Sequence, residues 1–143
     1  MYSVNNGFDR EWILLTSTKV GIFLVLIMPL IVSGDTFFPF IVGKALYSRS
    51  VIEITAVIWL VLALNNPKYR PTKSTILIAL LAYLAVSLAA SFAGVSVQRS
   101  LWSTYERMQG VVDLAHWVVF SIVVTSTLRT PKDWKNLLNF NLF

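Results

Sequence analysis

The sequence has no cysteine, one histidine and only seven acidic residues in 143. Without cysteine there is no disulfide, no thiolate metal site and no cysteine nucleophile. A single histidine cannot build a histidine-rich metal centre, so neither a metal nor another cofactor is expected. Charge is scarce as well. Asp, Glu, Lys and Arg make up 13% of the chain, against about 25% in an ordinary soluble domain. That deficit excludes a fully solvated surface and leaves no room for a separate soluble domain.

What the sequence has instead is long apolar runs. Hydrophobic residues make up 56% of it, and a helix needs about 20 mostly apolar residues to cross a bilayer. Four segments meet or approach that length, at about 13–33, 46–64, 74–93 and 110–128. The second is the weakest, because its clean core "VIEITAVIWLVLAL" is short. Strand edges cannot be satisfied in lipid, and the period-two alternation of a barrel is absent. The expected fold is therefore an all-α integral membrane helical bundle with about four transmembrane helices, a single membrane segment over 1–143. No repeat or low-complexity tract interrupts it.

Net charge is +5, but the basic residues lie outside the apolar cores and read as topology rather than nucleic-acid binding. One side would hold Arg10, Lys19, Lys68, Arg70, Lys73, Arg129, Lys132 and Lys135, the other Lys44, Arg49, Arg99 and Arg107. The richer side should be cytoplasmic, giving an N-in/C-in, multi-pass protein with the lipid bilayer as its first partner. Lys19 can snorkel to the inner interface. The aromatic stretch containing Phe37, Phe38 and Phe40 should lie at, or re-enter, the outer interface. Cleavage of the first segment as a signal peptide is disfavoured by its long leading region, by Pro29 and by the lack of an A-x-A site.

The connector "RSLWSTYERMQG", Arg99 to Gly110, is unusually polar for its surroundings. Trp102 and Tyr105 suit a membrane interface, where a ring can be apolar at one end and wet at the other. Arg99 and Arg107 run against the topology bias, and an arginine pair can hold phosphate in bidentate forks; ordinary surface ion pairing is the competing reading. Glu106, Gln109, Asp113 and His116 are spaced 3, 4 and 3 and share one helical face. Such a stripe should face protein or a wet cavity. Asp113 and His116 could hydrogen-bond at i, i+3 as a proton relay, although interhelical hydrogen bonding is the favoured role. Arg49 and Glu53, at i, i+4, read as a structural ion pair. On the third segment Ala82, Ala85, Ala89 and Ala93 allow close helix approach, which predicts a helix inside the bundle.

Several of these stretches resemble the N-terminal part of the bacterial O-antigen ligase and polymerase superfamily of membrane glycan transferases. "GVSVQRSLWSTYERMQGVVDLAHW" resembles that family's outer loop, roughly R-S-F-W-x-x-Y-E-R-M-E-G-L. "FFPFIVGKALYSRSVIEITAVIWLVLAL", "NNPKYRPTKS" and "LRTPKDWKNLL" resemble its first outer loop and second helix, its basic inner loop and its turn after the fourth helix. Gln109 stands where the family more often has an acid. The resemblance implies a bacterial inner-membrane protein that uses an undecaprenyl-pyrophosphate-linked glycan donor without a metal. It also implies roughly ten or more spans and a catalytic histidine in a later periplasmic loop, to which His116 does not correspond. On that reading the chain is a fragment with no catalytic residue of its own, and Arg99 and Arg107 border the donor. The alternative is a self-contained small membrane protein, a transporter or a scaffold subunit. A proton-coupled transporter would want an ionisable residue near mid-membrane, whereas the acids read as clustering at helix ends. The sequence leaves oligomeric state, glycan and acceptor open.

Overall fold

The computed structural model describes residues 5–31, 41–104 and 108–142. Phe37, Phe38, Phe40, Tyr105, Glu106 and Arg107 lie outside the described residues. Among those described, all regular structure is helical: α1 (Asn5–Leu26), α2 (Val42–Asn65), α3 (Thr75–Ala93), α4 (Val97–Trp102), α5 (Val111–Thr127) and α6 (Pro131–Leu142). Helices α2 and α3 are long and apolar enough to cross a membrane, and α5 is apolar but shorter.

Local chemistry sets the boundaries. The first apolar segment, expected at 13–33, is instead a helix from Asn5 to Leu26, followed by a 3₁₀ turn at Met28–Leu30. Pro29 lacks an N–H, and its ring would clash with the carbonyl four residues back, so the α-helix stops before it. Helix α2 stops before Pro67: Asn66 is pushed to extended backbone, and its side chain accepts the Lys68 N–H at 3.1 Å. The tail begins with a capping box. Thr130 caps α6, Pro131 takes the first helical position, and Asp133 reaches back to the Thr130 hydroxyl at 2.7 Å.

The packing order follows from pairs at opposite ends. Tyr47 donates to the Leu24 carbonyl at 3.0 Å, and the Tyr69 hydroxyl meets Glu11 at 3.0 Å. Helices α1 and α2 are therefore antiparallel. Arg49 meets Asp113 at one end while Arg129 donates to the Arg70 carbonyl at the other, so α2 and α5 run parallel. Helix α6 returns beside α1, with Lys19 on Asp133 and Phe23 edge-on to Phe140 at 5.1 Å.

The core is small. Ile22, Val123, Val124 and Leu128 form its centre, with Ala56, Trp59, Phe120 and Leu137 against it. Helices α1 and α2 close on Gly21, where an added Cβ would collide with the Thr55 side chain. Two buried hydroxyls on facing helices bond to their own helix, Thr18 to the Leu14 carbonyl at 2.8 Å and Thr55 to that of Val51 at 2.6 Å, whereas those of Ser126 and Thr127 on α5 meet no partner among the described residues. The helix carbonyls satisfy Thr18 and Thr55 without water. Helix α3 differs from expectation. It packs on α4 and α5 at the edge of the bundle, and Ala82, Ala85, Ala89 and Ala93 are all exposed. Small side chains permit close approach, but among the described residues nothing packs on that face.

Candidate functional site

The two ends of the bundle carry different chemistry. One end gathers the 66–74 loop, the start of α1 and the α5–α6 turn. There the Tyr69 ring is buried, its carbonyl accepts the Trp59 indole N–H at 3.2 Å, and its hydroxyl donates to Glu11. Burial, together with the hydrogen bond and the negative charge of Glu11, pushes the Tyr69 phenol up to about 12. Partial burial works against ionising Asp133, but hydrogen bonds from Lys19 and Thr130 outweigh it and hold that carboxyl below its usual range.

The opposite end holds a cleft of about 570 Å³ between the start of α2, α4 and the residues flanking α5. Arg49 and Arg99 both line it, with Gln98, Ser96 and Thr104 as further polar groups and Trp102 as an aromatic wall. Ser103 and Met108, also on its lining, are the non-glycine residues with positive φ among the described residues, at 63° and 50°. Such backbone costs about 1–3 kcal/mol and has to be held by its surroundings. Part of the hold is visible, since an Arg49 N–H donates to the Met108 carbonyl. Gly110 supplies another part: a Cβ there would strike the Leu101 carbonyl, so α4 can pack directly on the chain entering α5.

Beneath the cleft, four charged or titratable side chains bridge α2 and α5. Arg49 Nε donates to Asp113 Oδ1 at 3.2 Å, and Trp117 Nε1 donates to Asp113 Oδ2 at 3.2 Å. One turn further along, His116 Nε2 lies 2.9 Å from Glu53 Oε1, and its Nδ1 lies 2.7 Å from the Val112 carbonyl.

Of the expected stripe only Asp113 and His116 belong to α5, which begins at Val111. Asp113 and His116 do share a face of α5, but each reaches α2 instead of the other. In place of the expected Arg49–Glu53 ion pair, Arg49 meets Asp113 and Glu53 meets His116 on α5. Glu53 also corrects the placing of acids at helix ends, since it lies at the middle of α2. Arg99 and Trp102 line the cleft, while Gln109 is exposed. Arg107, Glu106 and Tyr105 fall outside the described residues. Sequence reasoning missed Arg49 as a cleft residue. Its signal was available: an arginine on the basic-poor side at a helix start, a position that needs either a partner or a ligand.

No cluster of metal-ligating side chains occurs among the described residues. What the cleft can offer is the Arg99 guanidinium beside an Arg49 already paired with Asp113, hydroxyl and amide donors and an apolar wall. That donor set suits an anionic group carried on an apolar body. Comparison with protein-family models, curated proteins and solved structures finds no match to the chain.

Proposed function

We propose that this chain is the N-terminal membrane portion of an O-antigen ligase-like glycan transferase, and that its cleft receives the pyrophosphate of an undecaprenyl-linked donor. The observation that carries this reading is the joint placement of Arg49 and Arg99 on one cleft. Arg99 brings a guanidinium fork, which fits a phosphate better than a point charge would, while Arg49 on the same lining is already matched by Asp113 and the Met108 carbonyl. The Trp102 wall suits the first apolar part of a lipid carrier. In this reading α1, α2, α3 and α5 cross the bacterial inner membrane with the N-terminus and the α5–α6 turn inside. The basic 66–74 loop then faces the cytoplasm and the cleft faces the periplasm, in line with the Lys/Arg asymmetry. Residues 1–143 contribute donor binding, and the acceptor's activation belongs to other parts of such a transferase.

The test is binding of undecaprenyl pyrophosphate to the whole chain in lipid nanodiscs. Arg99→Lys should weaken binding severalfold, because an ammonium group cannot replace a bidentate fork. Unchanged affinity in both Arg99→Lys and Arg99→Ala would remove the cleft from donor binding. A self-contained proton-coupled carrier is the second reading, favoured by the mid-helix position of Glu53. Proton-coupled solute flux in proteoliposomes would distinguish it.

A further inference from the structure

His116 is held at both ring nitrogens, and the two contacts together fix a proton count. The Val112 carbonyl can only accept, so Nδ1, 2.7 Å away, must carry a hydrogen. In a neutral ring Nε2 then has a lone pair, and it faces Glu53 Oε1 at 2.9 Å. A carboxylate oxygen is also an acceptor. Two acceptors at that distance repel unless a proton lies between them. The other neutral tautomer only moves the conflict to Nδ1 and the carbonyl. The observed contacts therefore require one proton more than a neutral imidazole and a carboxylate bring.

The surroundings leave that proton to this pair. On α2 the nearest charge is Arg49, engaged by Asp113 and by the Met108 carbonyl. On α5 the nearest is Asp113, which is matched by Arg49 and the Trp117 indole. Helix α3 has no charged residue. The only Lys, Arg, Asp or Glu on the later half of α1 is Lys19, paired with Asp133 at the α6 start. Arg99 of α4 lies on the cleft. Glu106 and Arg107 are outside the described residues. Access is one-sided: the His116 side chain is 16% exposed, whereas that of Glu53 is 66% exposed.

We propose that Glu53 and His116 form a proton-binding site that ties the middle of α2 to α5. With the proton bound, the pair is an attractive cross-helix contact one turn below Arg49–Asp113. Without it, two lone pairs face each other and the ring must leave either the carboxylate or its own helix carbonyl. The bound proton can reside on the ring, giving imidazolium and carboxylate, or on Glu53, giving a carboxylic acid that donates to Nε2. The site takes a proton and no metal, since only two ligating atoms converge there.

His116 is the only histidine in the chain, so labelling every histidine with ¹⁵N reports this ring alone. Solid-state NMR of the whole chain in bilayers at neutral pH, with ¹³C-labelled glutamate, should show one of two patterns. Either both ring nitrogens are protonated, or Nδ1 alone is protonated while one glutamate carboxyl is in the acid form. In Glu53→Gln the side-chain amide can itself donate to Nε2, so the ring should be neutral and the acid-form carboxyl signal absent. A neutral ring together with fully ionised glutamates in the unsubstituted chain would overturn the proposal. So would an imidazolium that persists unchanged in Glu53→Gln, because the proton would then not depend on the pair.

Discussion

Arg49 and Asp113 join α2 to α5 at 3.2 Å, with side chains only 11% and 17% exposed. Each also serves a second partner, the Met108 carbonyl and the Trp117 indole. The contact thus sets the seam between two helices and the shape of the cleft above it. Removing one member of a buried pair leaves an uncompensated charge and typically costs about 3–5 kcal/mol. Asp113→Ala and Arg49→Ala should each destabilise the folded chain by about 3 kcal/mol. The double substitution should cost less than the sum. Unfolding titrations in mixed micelles on the double-mutant cycle measure this.

A second prediction concerns the α1–α2 contact. Gly21 faces Thr55 so closely that any Cβ must displace the threonine, whose hydroxyl is fixed on the Val51 carbonyl. Gly21→Ala should lower stability by about 1–3 kcal/mol through overpacking. Gly21→Ala combined with Thr55→Ala should recover part of that loss, because the hydroxyl and the methyl that an added Cβ meets are both removed. The same unfolding titration reads both.

The helical class and the places of α2, α3 and α5 were legible because apolar runs of that length between polar, Pro-bearing connectors have few other solutions. The start of α1 was not. "NNGFDREW" is polar, and its helix extends beyond the apolar pattern that marks a span. Helix α6 was not legible for a related reason: "PKDWKNLLNFNL" is too short and polar to mark a span, and only the "TPKD" capping box signals its start.

Pairings were less legible than faces. The 3, 4, 3 spacing placed Asp113 and His116 on one side of a helix, yet nothing in a single sequence says which helix lies opposite. Arg49 and Glu53 carry the matching spacing on α2, and the two sets form a ladder only once α2 and α5 are parallel and adjacent. Parallel neighbours are non-consecutive in this chain, so the local pattern favoured the i, i+4 pair instead.

The end of the bundle opposite the cleft sets a pH dependence. Asp133 titrates below its usual range in the folded chain, so its contribution to stability is present above the unfolded carboxylate value and is lost as pH falls through the folded one. Tyr69 titrates at about 12 rather than 10.0. Its contribution is complete below the unfolded value and disappears as pH rises from 10.0 to about 12. Thermal unfolding across pH should therefore show an acid loss weakened in Asp133→Asn and an alkaline loss weakened in Tyr69→Phe. Exchange of the two effects between the variants would contradict this assignment.

The last prediction is topological and separates the membrane reading from its inverse. Lys68, Arg70 and Lys73 crowd the connector between α2 and α3, at the end where Arg129 donates to the Arg70 carbonyl. The cleft end carries Lys44, Arg49 and Arg99 among the described residues, and Arg49 is neutralised by Asp113. Basic residues near span ends are retained on the cytoplasmic side, so the 66–74 connector should face inward. An alkaline phosphatase reporter, which is active only outside the cytoplasm, should be inactive when fused after Tyr69. Inserted between Val97 and Ser103, beside the cleft, it should be active. Introducing Lys→Gln at both 68 and 73 should weaken the bias and give mixed activity at the first site. Strong activity after Tyr69 in the unsubstituted chain would place the arginine cleft in the cytoplasm, on the wrong face for a periplasmic glycan donor.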